Sequence, residues 1–161
     1  MLSFSPAQFR HVVRASAAYD FIVTVPFATP WTFALALQHL GAANQALGGQ
    51  PLPAFAPLQV LFALLMGSLV LVWALLRLRA PLAWLGRHDA AARLLFSTWM
   101  LWAWGQTGAP VLLLFAVPEL AWAVVQLWPV REGAAARRRA DGAFGMPQPS
   151  FRRGCGNTPA P

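Results

Sequence analysis

Three ionisable residues, Asp20, Arg93 and Glu119, fall inside long apolar runs of this chain, and any chemistry it performs starts with them. A carboxylate in such surroundings can carry a proton, bind a cation or pair with a guanidinium, and each use needs a partner from elsewhere in the chain. Glu119 also belongs to a stripe. Phe115, Glu119, Trp122 and Gln126 recur at i, i+4, i+7 and i+11, one face of a helix. Two uses of that face stay open: a polar seam that fixes how helices pack, which is favoured, or a small-molecule or proton site lined by Trp122 and Glu119. Tyr19 beside Asp20, with prolines beyond it, adds weight to the second.

Other chemistries find no residues. The chain has no HExxH, GxSxG, P-loop or dinucleotide fingerprint. His11, His39 and His88 lack ligand spacing and read as interfacial polar residues rather than metal ligands. The single cysteine, Cys155, allows neither an intrachain disulfide nor a cysteine-based metal site. No cofactor and no metal are expected. The formal net charge of +7 suggests nucleic acid only until the arginines are placed. Six of the twelve lie in 131–161 and most others flank apolar runs, with no basic stripe interleaved with aromatics. Nucleic acid is therefore not an expected partner; a lipid bilayer is.

The elements that must position these residues follow from composition. The chain is 58% hydrophobic and 11% charged, against about 25% charged in soluble domains. Too few charges remain to cover a surface in water. The apolar runs predict four transmembrane helices, at about 13–38, 58–76, 90–106 and 110–129, within one domain over 13–130 after a short lead at 1–12. Pro26 and Pro30 predict a kink in the first, with two half-segments kept as an alternative. Ala63, Gly67 and Ala74 give the second a face of small residues, and Arg77 and Arg79 end it. Asp89 opens the third and pairs at i,i+4 with Arg93. Trp99, Trp102 and Trp104 read first as an interfacial belt and second as a ligand pocket. Residues 131–161 read as a disordered basic tail.

Arginine placement sets the orientation. The lead, the loop between the second and third helices, and the tail carry arginine, whereas 41–57 and 105–110 carry none. Four spans put every arginine-bearing segment on one side, which the positive-inside rule makes cytoplasmic. The expected fold is an all-α integral membrane four-helix bundle, both termini cytoplasmic, multi-pass in a bacterial inner membrane. Asp20 and Arg93 then lie at similar depth and are expected to pair. Glu119 lies about 13 Å from the opposite face at 1.5 Å per residue. With Arg93 taken by Asp20, Glu119 is expected to be neutral at pH 7 and to donate a hydrogen bond to another helix or to water.

The outline resembles the DoxX-like group of small bacterial four-helix membrane proteins. The resemblance covers about residues 10–130 and rests on length, span number, and Arg14 entering the first helix before Tyr19-Asp20. It is similar also to the EXPERA group, whose four helices enclose a sterol-type ligand among acidic and tryptophan side chains, the types of Asp20, Glu119 and Trp122 here. Three functions are weighed. The favoured one is a non-catalytic accessory protein whose polar seam is structural, with a membrane-protein partner or a second copy as companion. The alternatives are a small carrier or proton-linked protein, or a lipid- or isoprenoid-acting enzyme, each using Glu119 near the bilayer midplane.

Overall fold

The computed structural model of the chain describes residues 3–131 and is all-α, with five helices and one 3-10 turn among them. The basic-tail reading lies, beyond Arg131, outside the described residues. Helix α1 (Pro6–Thr24) starts at a capping box in which Ser5 accepts from the Gln8 amide and Gln8 reaches back to the Ser5 amide. A 3-10 turn at Val25–Phe27 leads to α2 (Pro30–Ala46), opened by Thr29 and Thr32 in the same reciprocal way.

The single kinked helix expected over 13–38 is corrected here to two helices that turn through 103°. Pro26 cannot donate an amide to the helix before it, and Thr29, ahead of Pro30, is pushed to extended backbone at φ −138°, ψ 156°. The half-segment alternative describes the chain. The expected four-helix bundle accordingly has five helices, the first element being broken. Gly67 accommodates the turn: a Cβ there would stand 2.7 Å from the Phe27 carbonyl oxygen.

Helix α3 (Pro57–Arg79) is the longest uninterrupted apolar element, and α4 (Ala83–Thr107) follows after a short loop. Helix α4 ends at Gly108, whose φ of +64° suits a residue without a Cβ. Helix α5 (Val111–Leu127) contains Pro118 and runs on past it. Its first turn is capped from afar, because the buried Asn44 accepts from the Val111 amide at 3.1 Å and donates to the Gln50 carbonyl at 2.7 Å.

Helix α1 packs on α3, α4 packs along α5, and α1 also meets α4 and α5. Helices α3 and α4 are consecutive yet share no packed face, which leaves a cleft between them. The two ends of the described chain meet. Phe4 and Val130 form a bridge, with the Phe4 amide on the Pro129 carbonyl and the Arg131 amide on the Phe4 carbonyl, both at 2.9 Å. Arg87 also donates to the Trp128 carbonyl at 3.0 Å. The start of α1, the end of α3, the start of α4 and the end of α5 therefore lie at one end of the molecule.

Charged and polar side chains share the interior with apolar ones, and many large apolar side chains are exposed. Ser16, Asp20, Arg77, Asp89, Arg93 and Gln126 are buried, while Trp31 is 80% exposed and Leu58 69% exposed. Among the described residues one helix, α3, is long and apolar enough by itself to cross a membrane. Helices α1 and α2 pass that test only when taken together across their bend, α5 has 17 residues, and α4 carries Arg87, Asp89 and Arg93 in its first half.

Candidate functional site

All three acidic residues within 3–131 converge on two arginines. Asp20, on the inward face of α1, accepts from Arg77 Nη2 and, through both carboxylate oxygens, from Arg93 Nη2 at 2.8 and 2.7 Å. Asp89, in the second turn of α4, takes Arg93 Nε at 2.9 Å along its own helix. Its Oδ2 also accepts from Arg77 Nη1 at 2.5 Å and Gln126 Nε2 at 2.8 Å, and its Oδ1 accepts the Trp73 indole N–H at 2.9 Å. Arg93 extends inward and donates through Nη1 to Glu119 Oε2 at 2.7 Å. Ser16 completes the cluster, accepting from Gln126 Nε2 at 2.6 Å and Arg77 Nη1 at 3.3 Å while donating to the Val13 carbonyl.

Each residue is placed by helical periodicity. On α3 the buried positions are Gly67, Ala74 and Arg77, so the small-residue face runs straight into the guanidinium. On α4, Gly86, Asp89, Ala90, Arg93 and Ser97 form the buried strip. Gly86 lets that strip approach α1, since a Cβ there would meet Val13 at 2.7 Å. Buried ions need both charge partners and hydrogen-bond partners, and the fork of a guanidinium supplies several at once.

Of the residues singled out in the sequence, Asp20, Arg93, Glu119 and Gln126 join one network. Trp122 does not; it packs against Tyr19 with ring centroids 6.2 Å apart. Asp20 and Arg93 do pair. The expectation that this leaves Glu119 without a cation is corrected, because one guanidinium serves three carboxylates. Arg77, Asp89, Ser16 and Trp73 are the residues that sequence reasoning left out of the site. Arg77 reads as a helix-ending charge, like Arg79, unless its phase with Gly67 and Ala74 is followed to the end of the helix.

Above the cluster, between α3 and α4 and under the 3-10 turn, lies a cavity of about 860 Å³. Its walls are almost wholly apolar and include five aromatic side chains: Phe27, Trp73, Phe96, Trp99 and Phe115. Asp20, Asp89, Arg93 and Glu119 supply its charged end. Glu119 is the most open of the three acids, with a side chain 15% exposed and only its Oε2 engaged by Arg93. The lining holds no cysteine, serine or histidine, and Thr24 brings its one aliphatic hydroxyl. Of the three tryptophans near the end of α4, Trp99 alone borders the cavity, and it is as exposed as Trp102, each at 62%. No protein-family model, no curated protein and no solved structure matches the chain.

Proposed function

We propose that the chain is a multi-pass protein of a bacterial inner membrane, both termini cytoplasmic, that holds a lipophilic small molecule between α3 and α4. The many exposed large apolar side chains support lipid as the solvent, since exposed leucine and tryptophan cost nothing there, while the paired ions sit where lipid does not reach. The meeting of Phe4 with Val130 and of Gly86 with Val13 brings the start of α1, the loop after α3 and Arg131 to one end, and the positive-inside rule favours the cytoplasmic side for such an end.

The observation that carries the binding reading is the cavity of about 860 Å³ with one charged end. Such a concave, mostly apolar space with a few convergent polar groups is the ordinary form of a small-molecule site. A structural seam needs the ion network, but it does not need an open volume beside it. A ligand with an apolar body and one polar head fits that division, and the cleft gives it a lateral way in from the bilayer. A carrier that moves such a ligand uses the same site, with the break between α1 and α2 as the element that rearranges.

A second reading keeps the protein as an accessory subunit whose cleft receives a helix of a partner or of a second copy. The exposed apolar faces of α3 and α4 favour it to that extent. Native mass spectrometry from mild detergent separates the two. A monomer releasing a discrete small-molecule mass, lost in Ala63→Trp, is the expected result. A dimer or hetero-complex with no such mass, broken by the same substitution, would replace the ligand reading with the partner reading.

A further inference from the structure

The buried cluster does not balance its own charge. Three carboxylates, Asp20, Asp89 and Glu119, face two guanidinium groups, Arg77 and Arg93. With all five groups ionised, one negative charge is left over. The other described arginines do not supply it: Arg10, Arg14 and Arg79 lie exposed around a separate groove near the start of α1, Arg87 turns to Trp128, and Arg131 to Ser3. An unbalanced charge in a low-dielectric interior is costly, and it is met either by a proton on one of the carboxylates or by a positive group.

The surplus falls at the cavity. Asp20 and Asp89 each have both oxygens engaged by guanidinium, indole or amide donors. Glu119 has one oxygen so engaged and is the acid most open to the space. A bare inorganic cation is poorly served there, because it needs several oxygen ligands and the remaining walls offer Thr24 and apolar carbon. Aromatic faces, by contrast, attract organic cations, and tryptophan does so best. Phe27, Phe96, Trp99 and Phe115 bring four rings to the cavity, and Trp73, the fifth, already has the Arg77 guanidinium over its ring at 5.7 Å.

We propose that the cavity binds a lipophilic organic cation, its charged head against Glu119 and its apolar body among these rings. This rests on the ligand-binding reading above and narrows it to one charge type. Arg77, Arg93, Asp20 and Asp89 then form a neutral, rigid base that holds Glu119 in place, and Glu119 is the counter-ion.

The test uses the full chain in nanodiscs of uncharged lipid, with empty nanodiscs subtracted. Tetraphenylphosphonium and tetraphenylborate share a shape and differ in sign, and pyrene provides a neutral lipophile. Tetraphenylphosphonium should bind saturably, at least tenfold more tightly than tetraphenylborate. Glu119→Gln should weaken it tenfold or more while leaving pyrene unchanged, and Glu119→Asp should keep most of the affinity. Ala63→Trp, which fills the cavity away from the charges, should abolish binding of both probes. Pyrene binding lost in Ala63→Trp, with no preference between the two ions, would overturn the cation assignment and leave the cavity a neutral-ligand site. If Ala63→Trp changes nothing for any probe, both readings fall. Should Glu119→Gln not insert, the ratio between the two ions in the unaltered protein decides.

Discussion

Arg77, in the last turn of α3, meets Asp89, in the second turn of α4, with Nη1 and Oδ2 2.5 Å apart. The two helices share no packed face, so this pair and the Trp73–Asp89 hydrogen bond are the polar ties across the base of the cleft. Arg77 is fully buried and Arg79, two residues on, is exposed. Removing one partner from a buried ion pair strands the other, at about 3–5 kcal/mol. Arg77→Gln should therefore cost about that much in detergent unfolding, and Arg79→Gln should stay within about 0.5 kcal/mol of the parent. Equal effects would place Arg77 outside the network.

The second prediction concerns Asp20 and Arg93, joined at 2.7 Å between α1 and α4. Asp20→Asn and Arg93→Gln should each destabilise, with Arg93→Gln the worse because it releases three carboxylates at once. The double variant should recover part of the summed loss, by about 0.5–3 kcal/mol of coupling. Strict additivity in a double-mutant cycle would argue against the contact.

Gly67 gives a third. A Cβ at this position runs into the Phe27 carbonyl and side chain, so Gly67→Ala should push the 3-10 turn away from α3, at about 1–3 kcal/mol. Gly41, in α2, has no heavy atom within 4 Å of its would-be Cβ. Gly41→Ala should be neutral, or stabilise by about 0.4–1 kcal/mol through the unfolded chain. Thermal unfolding of the two variants side by side checks both.

Topology provides a fourth. A periplasm-active reporter should work when fused after Gln50, between α2 and α3, and fail when fused after Pro81 or Pro161. Activity after Pro81 would reverse the orientation, and activity at all three points would mean that α3 does not cross.

Which of these features could be read in the sequence depends on range. The Asp89–Arg93 pair is local, four residues along one helix, and needs only periodicity. The halves of the first apolar run are also local, because Pro26 and Pro30 mark the break; its size of 103° is not, since the turn packs against Gly67, forty residues further along the chain. Arg77 was hidden by its neighbourhood, as an arginine next to Arg79 at the end of an apolar run resembles a flanking charge. The fate of Glu119 turned on geometry that spacing does not hold. Arg93 reaches Asp20, Asp89 and Glu119 together only because α1, α4 and α5 meet at its level. The cavity is the least legible feature, being made by the face that α3 and α4 leave unpacked.

The last prediction follows from counting charge rather than contacts. Converting any one of the three acids to its amide balances the cluster, yet the consequences should differ. Asp89 accepts four hydrogen bonds, from Arg77, Arg93, Gln126 and Trp73. An asparagine there would turn one acceptor into a donor facing other donors, so Asp89→Asn should cost about 3–5 kcal/mol despite the better charge balance. Glu119 accepts one such bond, and glutamine can keep it through Oε1 with the same reach. With nothing bound in the cavity, Glu119→Gln therefore removes an unbalanced charge at almost no cost in hydrogen bonding. It should leave the unfolding midpoint of the ligand-free protein unchanged or raise it. Adding tetraphenylphosphonium should then stabilise the parent and leave Glu119→Gln unmoved, because a ligand stabilises only the state that binds it. If Glu119→Gln instead destabilises as severely as Asp89→Asn, the carboxylate is a structural member of the network and its charge is already met.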